Sequence, residues 1–227
     1  MIEITKTRVT GFPEAVRGAR NSYGSWEKSD SGYLAGLPMT DNYYNVGEND
    51  LALLCRLGHA GSDEAKYRRV IVVYCDINAP LYWWKQFDTY KVGTVTLSTS
   101  TMHSIANKDF TIDDFSTDHL VSCGKELLTY DIIDALNVCR EEFLKYDDLG
   151  ENVYIEEIKS KKDIWWQMIQ LLPSSYNQLR TVMLNYEVLA NIYHSRRNHK
   201  LDEWKDFCKW AESLPYSEIF TGRDRHE

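Results

Sequence analysis

The chain has 227 residues, 43% of them hydrophobic and 26% charged, and carries a formal net charge of −8. That length buries a sizeable core and that composition excludes a disordered chain. The acidic balance excludes general binding to a nucleic-acid backbone, which demands a basic face; small anions remain open, because a pocket needs only a few local cations. The five cysteines form no CxxC pair, and their odd number leaves one unpartnered in any disulfide scheme. That is the pattern of a reducing compartment, and no zinc-ligand spacing appears among cysteines and histidines. The start of the chain is polar and alternating, without a signal-peptide core, and no apolar stretch approaches the roughly 20 residues of a membrane span. A cytoplasmic protein is expected, with no metal, no membrane and no nucleic-acid polymer among its partners.

In chain order, Ile2 to Val9 alternates like an edge strand, and Pro13 opens a short helix through Arg20. Residues 21–47, rich in Gly, Ser and Tyr, read as a long loop. Asn49 is placed to cap a helix over Asp50 to Leu57, ended by Gly58. Val70 to Cys75 is a β-branched run and reads as a buried strand. Asn78-Ala79-Pro80 starts a helix through Phe87, and Gly93 to Met102 is extended and hydroxyl-rich. Thr111 to Phe115 is too polar to assign. Helical periodicity returns from Lys125 to Tyr146, with a stop at Asp148-Leu149-Gly150, and Val153 to Ile158 reads as a short strand or turn. Helices are expected over Asp163 to Leu172, Asn177 to Arg197 and Asp202 to Leu214. The sum is one α+β domain over residues 1–227, a mixed sheet with flanking helices and a long carboxy-terminal helix.

Leu172 to Arg197 is the most informative stretch. On a single helix Asn185 and Arg196 are eleven residues apart, and eleven steps of about 100° return almost to the same face. An amide and a guanidinium would then point together beside Leu189 and Ile192, with Asn191 nearby. Arginine never loses its charge and offers a rigid fork of donors, suited to a phosphate or an ionising heterocycle. An ordinary amphipathic helix with local capping accounts for the same pattern.

Taken as an ordered set, these segments resemble the flavin-dependent thymidylate synthases, the ThyX family. Ala19-Arg20-Asn21-Ser22-Tyr23 is similar to the family's Ala-Arg-x-Ser-Tyr element, and Leu57-Gly58-His59 to its Gly-His segment. Asn78-Ala79-Pro80 with Lys85-Gln86-Phe87 resembles the Ala-Pro passage that the family closes with Arg-Gln and an aromatic. Leu172-Pro173 through Arg196 aligns without a gap onto the carboxy-terminal helix. The resemblance implies FAD as cofactor, with NADPH and methylene-tetrahydrofolate as co-substrates, in a homotetramer that methylates dUMP to dTMP. It implies Arg196 as the residue that engages the pyrimidine and promotes its ionisation. Ser22, Tyr90, Lys91, Thr94, Asn185 and Asn191 would contact the flavin cofactor. Gln86, Thr89, Ser98, Thr99, Ser100 and Thr101 would join Arg196 around the pyrimidine nucleotide, and folate would be the second partner.

The family's Arg-His-Arg signature departs here to Thr89-Tyr90-Lys91. Thr101, Ile169 and Glu187 stand where arginines are expected, so phosphate binding should weaken substantially, charge-assisted hydrogen bonds being about twice as strong as neutral ones. Whether compensating cations arrive from Arg180, Arg197 or a neighbouring subunit is not written in the sequence. Two alternatives therefore stand beside the synthase: a diverged homologue acting on another pyrimidine nucleotide, and a non-catalytic nucleotide-binding scaffold of the same fold. Single residues have plainer readings too. Ser22 ends a helix, and Thr94 to Thr101 is an exposed strand. Trp83-Trp84 and Trp165-Trp166 belong to a core or a subunit interface. Lys161-Lys162 and Arg223 to Arg225 are solvated surface, and His59, His194 and His199 are structural or surface residues.

Overall fold

A computed structural model describes residues 2–146 and 158–222. The expected stop at Asp148-Leu149-Gly150, the strand or turn from Val153 and the Arg223 to Arg225 surface lie outside the described residues. The elements in chain order are β1 (Glu3–Thr10), α1 (Phe12–Asn21), β2 (Gly32–Tyr33), β3 (Tyr44–Asn45), α2 (Glu48–Ala60), β4 (Val72–Pro80), α3 (Leu81–Phe87), β5 (Thr94–Ser98), α4 (Thr101–Ser104), α5 (Ser122–Leu127), α6 (Asp134–Lys145), α7 (Lys161–Leu171), β6 (Asn177–Asn185), α8 (Tyr186–Arg196), α9 (Asp202–Glu212) and α10 (Glu218–Thr221). Four strands form a sheet in the order β1-β4-β6-β5, and β2 pairs with β3 in a separate antiparallel ladder. The α+β class expected from the sequence is the class found. Two compact units divide the chain: a sheet unit of Ile2–Ile77, Asp88–Leu97 and the residues from Thr181 onward, and a helical unit of Asn78–Phe87 with Ser98–Arg180.

In the sheet unit β1 is an edge strand, as its alternation implies, and β4 is internal, with Val73, Cys75 and Ile77 all buried. α1 carries Pro13 in its first turn and buries Phe12, Ala15, Val16 and Ala19, a 3–4 spacing that makes one apolar stripe. Tyr186, Tyr193, Trp204, Phe207 and Phe220, from α8, α9 and α10, are wholly buried. Each such side chain contributes roughly 1.5–3 kcal/mol of burial. The helix after residue 47 differs from expectation at both ends. It begins at Glu48, and the cap is the distant Asp30, whose carboxylate accepts from Asn49 N at 2.9 Å and Asp50 N at 3.1 Å. It also runs through Gly58 to Ala60. Gly58 is there for proximity, since a Cβ on it would lie 2.2 Å from Arg68 Nη2.

The helix expected over Asn177 to Arg197 is a strand followed by a helix, with the change at Tyr186. Gln178, Val182 and Leu184 are buried while Leu179 and Thr181 are exposed, a period of two. Gln, Leu, Arg and Met favour helices intrinsically, but burial on a sheet overrides that preference. The carboxy-terminal helix is thus eleven residues, Tyr186–Arg196.

In the helical unit Asn78-Ala79-Pro80 ends β4 rather than starting a helix, and α3 begins one residue later. Trp83, Trp84 and Phe87 are buried together, Trp83 stacked on Phe87 at 5.1 Å, so the tryptophan pair is core. A second core joins Ile105, Phe110, Phe115, Leu128, Ile133, Leu136 and Met168, with Trp165 and Ile169 packed against it. Between α5 and α6 the chain makes a π-helical turn, Leu128–Ile133, without leaving the helix. The unassigned Thr111 to Phe115 is a 3-10 turn closed by a reciprocal Thr111–Asp114 capping box. Among the described residues, no helix is long and apolar enough to cross a membrane.

Candidate functional site

Within the sheet unit, Arg196 is the last residue of α8 and is half-buried. Its Nε donates to the Tyr90 hydroxyl at 2.9 Å. Its guanidinium carbon lies 5.0 Å from the Trp204 ring centroid and 5.7 Å from that of Tyr90, and the two rings meet edge to face at 6.1 Å. Cation–π contacts of this kind are worth about 0.5–2 kcal/mol each, and they fix the plane of the fork. His199 follows, stacked edgewise on Trp204 at 6.4 Å, its Nδ1 accepting from Leu201 N at 3.1 Å. Burial, then the charges of Arg196 and Lys200, hold the imidazole below its ordinary pKa, so His199 is neutral at pH 7. Trp204 was not among the residues singled out from sequence. Its signal is only its place eight residues after Arg196.

Asn185 is the N-cap of α8 rather than a residue within a longer helix, and Arg196 is the last residue of that helix. Asn185 Oδ1 accepts from Val188 N at 3.0 Å. A Cβ added at Gly93, where φ is 83°, would lie 2.8 Å from Asn185 Nδ2, so the turn before β5 packs directly on this cap. Thr94, the next residue, has its Oγ1 buried with no hydrogen-bond partner. Lys91, Thr89 and Asn191 are exposed. Ser22 ends α1, its backbone N–H donating to Arg20 O, and is exposed at a cavity of about 530 Å³ shared with Tyr23, Leu57 and Tyr67. Arg20 of the same motif is committed elsewhere, in a buried ion pair with Asp50 at 2.7 Å.

The helical unit holds the remaining expected residues. Gln86 is half-buried on α3; Ser98, Thr99 and Ser100 are exposed and Thr101 is half-buried. Thr99 N–H donates to Leu179 O at 3.0 Å, which sets this hydroxyl run beside the first residues of β6. There Gln178, unnoticed in the sequence, donates from Nε2 to Thr99 O at 2.9 Å and to Thr101 Oγ1 at 3.2 Å, and accepts from Arg180 Nε at 2.9 Å.

Glu187 has a local electrostatic reason. Its Oε2 lies 3.9 Å from Nη1 of the buried Arg68, so a second guanidinium at 187 would meet like charge. Ile169 packs on the helical core and supplies no cation.

No family model matches this sequence, and no curated protein sequence matches it. Solved structures do. Over 97% of this chain and 97% of the other, the fold matches thymidylate synthase X (ThyX) from Helicobacter pylori with FAD and dUMP, at a TM-score of 0.64 and 17% identity. A second structure of that flavin-dependent enzyme, also with FAD and dUMP, gives 0.60 and 17% over 96% and 97% of the two chains. The UMP/dUMP methylase PolB from Streptomyces cacaoi, bound with 5-Br dUMP, gives 0.55 and 14% over 98% and 94%. At these identities the likeness establishes the fold.

Proposed function

We propose that this chain is a flavin-dependent methylase of the thymidylate synthase type, which binds FAD and converts dUMP to dTMP with methylene-tetrahydrofolate and NADPH. The observation that carries the reading is Arg196, retained in a half-buried aromatic seat within a fold shared from end to end with a synthase described with FAD and dUMP. A cation oriented before the ligand arrives stabilises charge as it develops on the pyrimidine ring, and removing such a group costs roughly 10²–10³-fold in rate. Tyr90 and Trp204 would orient Arg196 and keep water from its faces.

The residues fit an anionic cofactor. Thr94 offers a buried hydroxyl that no protein group uses, and Lys91 stands three positions before it. The Tyr90 oxygen accepts from Arg196 and keeps its own proton to donate. Ser22, Asn185 and Asn191 complete the proposed cofactor set, Asn185 through its Nδ2. Bound FAD, once reduced by NADPH, supplies the hydride that turns a transferred methylene into a methyl group. Gln86, Thr89 and the hydroxyls from Ser98 to Thr101 would orient the nucleotide. A homotetramer in the cytoplasm is the assembly and setting that go with this reading.

Purified protein should be yellow, or take up FAD with a rise in melting temperature, and should oxidise NADPH only when dUMP and methylene-tetrahydrofolate are both present. A colourless protein that FAD leaves unshifted would sink the reading. A second reading, a methylase for another pyrimidine nucleotide, is favoured by Thr101, Ile169 and Glu187 at positions where the resemblance expects arginines. NADPH oxidation elicited by UMP, with dUMP inactive, would decide for it.

A further inference from the structure

We propose that a cavity of about 630 Å³ beside α2, whose lining does not include Arg196, binds the phosphate monoester of a reactant. That the reactant is NADPH or the pyrimidine nucleotide rests on the function proposed above. Asn49, Leu53 and Arg56 line the cavity and follow one another by four and three residues, so they share one face of α2. Leu53 is buried and gives the cavity an apolar floor, while the Asn49 amide and the Arg56 guanidinium are exposed. Lys28 joins them from the end of a 3-10 turn, Trp26–Lys28, and is exposed as well.

The charge at this cavity runs against that of the whole chain, which is −8. Among the described residues neither Lys28 nor Arg56 enters an ion pair. Glu27 also lines the cavity but pairs with neither of them. The Asp30 carboxylate is occupied at the head of α2, accepting from Asn49 N at 2.9 Å and Asp50 N at 3.1 Å. Arg20, only 6% exposed, lines the cavity too; Asp50 at 2.7 Å answers its charge, so it brings a donor without net charge. Its Nε serves Asp50 and its Nη2 donates to Lys28 O at 3.2 Å, whereas Nη1 has no hydrogen-bond partner among the described residues. These bonds, with Ser29 Oγ and Ser31 Oγ donating to Asp50 at 2.6 Å, fix the loop that carries Lys28 before a ligand arrives.

A phosphate monoester carries a charge of about −1.5 to −2 at pH 7 and three acceptor oxygens. Lys28 and Arg56 match that charge. The Arg56 fork, the ammonium, the Asn49 amide and Arg20 Nη1 match the oxygens. A carboxylate, with a single charge, would leave one of the cations unanswered.

The test has two arms. In the first, the full chain is titrated with inorganic phosphate by calorimetry. Wild type should bind it, and the double variant Lys28→Gln, Arg56→Gln should bind it roughly tenfold more weakly or worse. Both side chains are exposed, so the double variant should keep the wild-type melting temperature. The second arm reads KM on the FAD-loaded enzyme. NADPH carries a phosphate monoester that NADH lacks. A rise of roughly tenfold in KM for NADPH, with KM for NADH and kcat unchanged, assigns the site to the electron donor. The same rise confined to dUMP assigns it to the nucleotide. Phosphate bound equally by wild type and double variant, or by neither, overturns the proposal. So does a double variant whose KM values for NADPH and dUMP both match wild type. A protein that binds phosphate through Lys28 and Arg56 yet takes up no FAD refutes the function proposed above and leaves the phosphate site standing.

Discussion

Arg20 and Arg196 both lie in segments that match the same resemblance, yet they sit in opposite surroundings. Arg20 is buried against Asp50, whose carboxylate also accepts from Ser29 Oγ and Ser31 Oγ at 2.6 Å each. Arg196 is half-buried against a phenol and two aromatic faces. The first arrangement spends a cation on holding α1, α2 and the loop between them together. The second orients a cation at the end of α8 against aromatic side chains. Shared motif membership does not distinguish the two roles; the chemistry of the partner does.

The comparison breaks most visibly at Asp50. Asp50→Ala strands a buried guanidinium, and removing one member of a buried pair costs roughly 3–5 kcal/mol, measurable by urea unfolding. Burial alone would raise the Asp50 pKa, but hydrogen bonds from Ser29, Ser31 and Arg20 hold it below the ordinary carboxylate value. Its folded-state pKa is therefore depressed. Its stabilising contribution is complete above the usual carboxylate range and is lost as pH falls through the depressed value. Asp50→Asn should accordingly be less stable at neutral pH and show a flatter loss of stability in acid; an unchanged acid limb would remove Asp50 from that role.

Arg196→Ala should show the opposite profile: turnover down by roughly 10²–10³-fold, with melting temperature and flavin content nearly unchanged. Unfolding of that variant would make Arg196 another Arg20. Gly58→Ala probes the buried Arg68 instead. It gains about 1 kcal/mol of helix propensity, but its Cβ must displace a guanidinium that donates to Ile219 O and pairs with Glu187. Overpacking of that kind costs roughly 1–3 kcal/mol, so thermal melting should show net destabilisation. The smallest effect belongs to Asn185→Ala, which removes an N-cap and should cost about 1 kcal/mol. A larger loss confined to FAD affinity would mean that Asn185 Nδ2 serves the cofactor as well.

Much of the fold was legible because its periods are clean. The alternation of β1, the β-branched run of β4 and Pro13 at the head of α1 each announce their element. β6 was not, since its residues are good helix formers and its alternation shows only once burial is known. That misreading also hid the closest link in the helical unit. Read as helix, Gln178 and Arg180 diverge by about 200°; as strand, they share a face. Arg196 was legible from the resemblance, but its seat was not, because Tyr90 and Trp204 reach it from separate parts of the chain. Glu187 looked like a loss until Arg68 supplied the charge it answers.

The wide turn at Leu128–Ile133 carries a consequence for how this chain tolerates insertions. Leu128 and Ile133 are five positions apart and enter one apolar cluster; in a regular α-helix that spacing would set them about 140° apart. A bond pattern reaching i+5 enlarges the coil locally and returns both to the same side. The turn therefore acts as a phase corrector, absorbing a surplus residue so that Leu136 and everything beyond it still meet the interior. Excising one residue there would restore the regular coil and leave the downstream half in step with its neighbours.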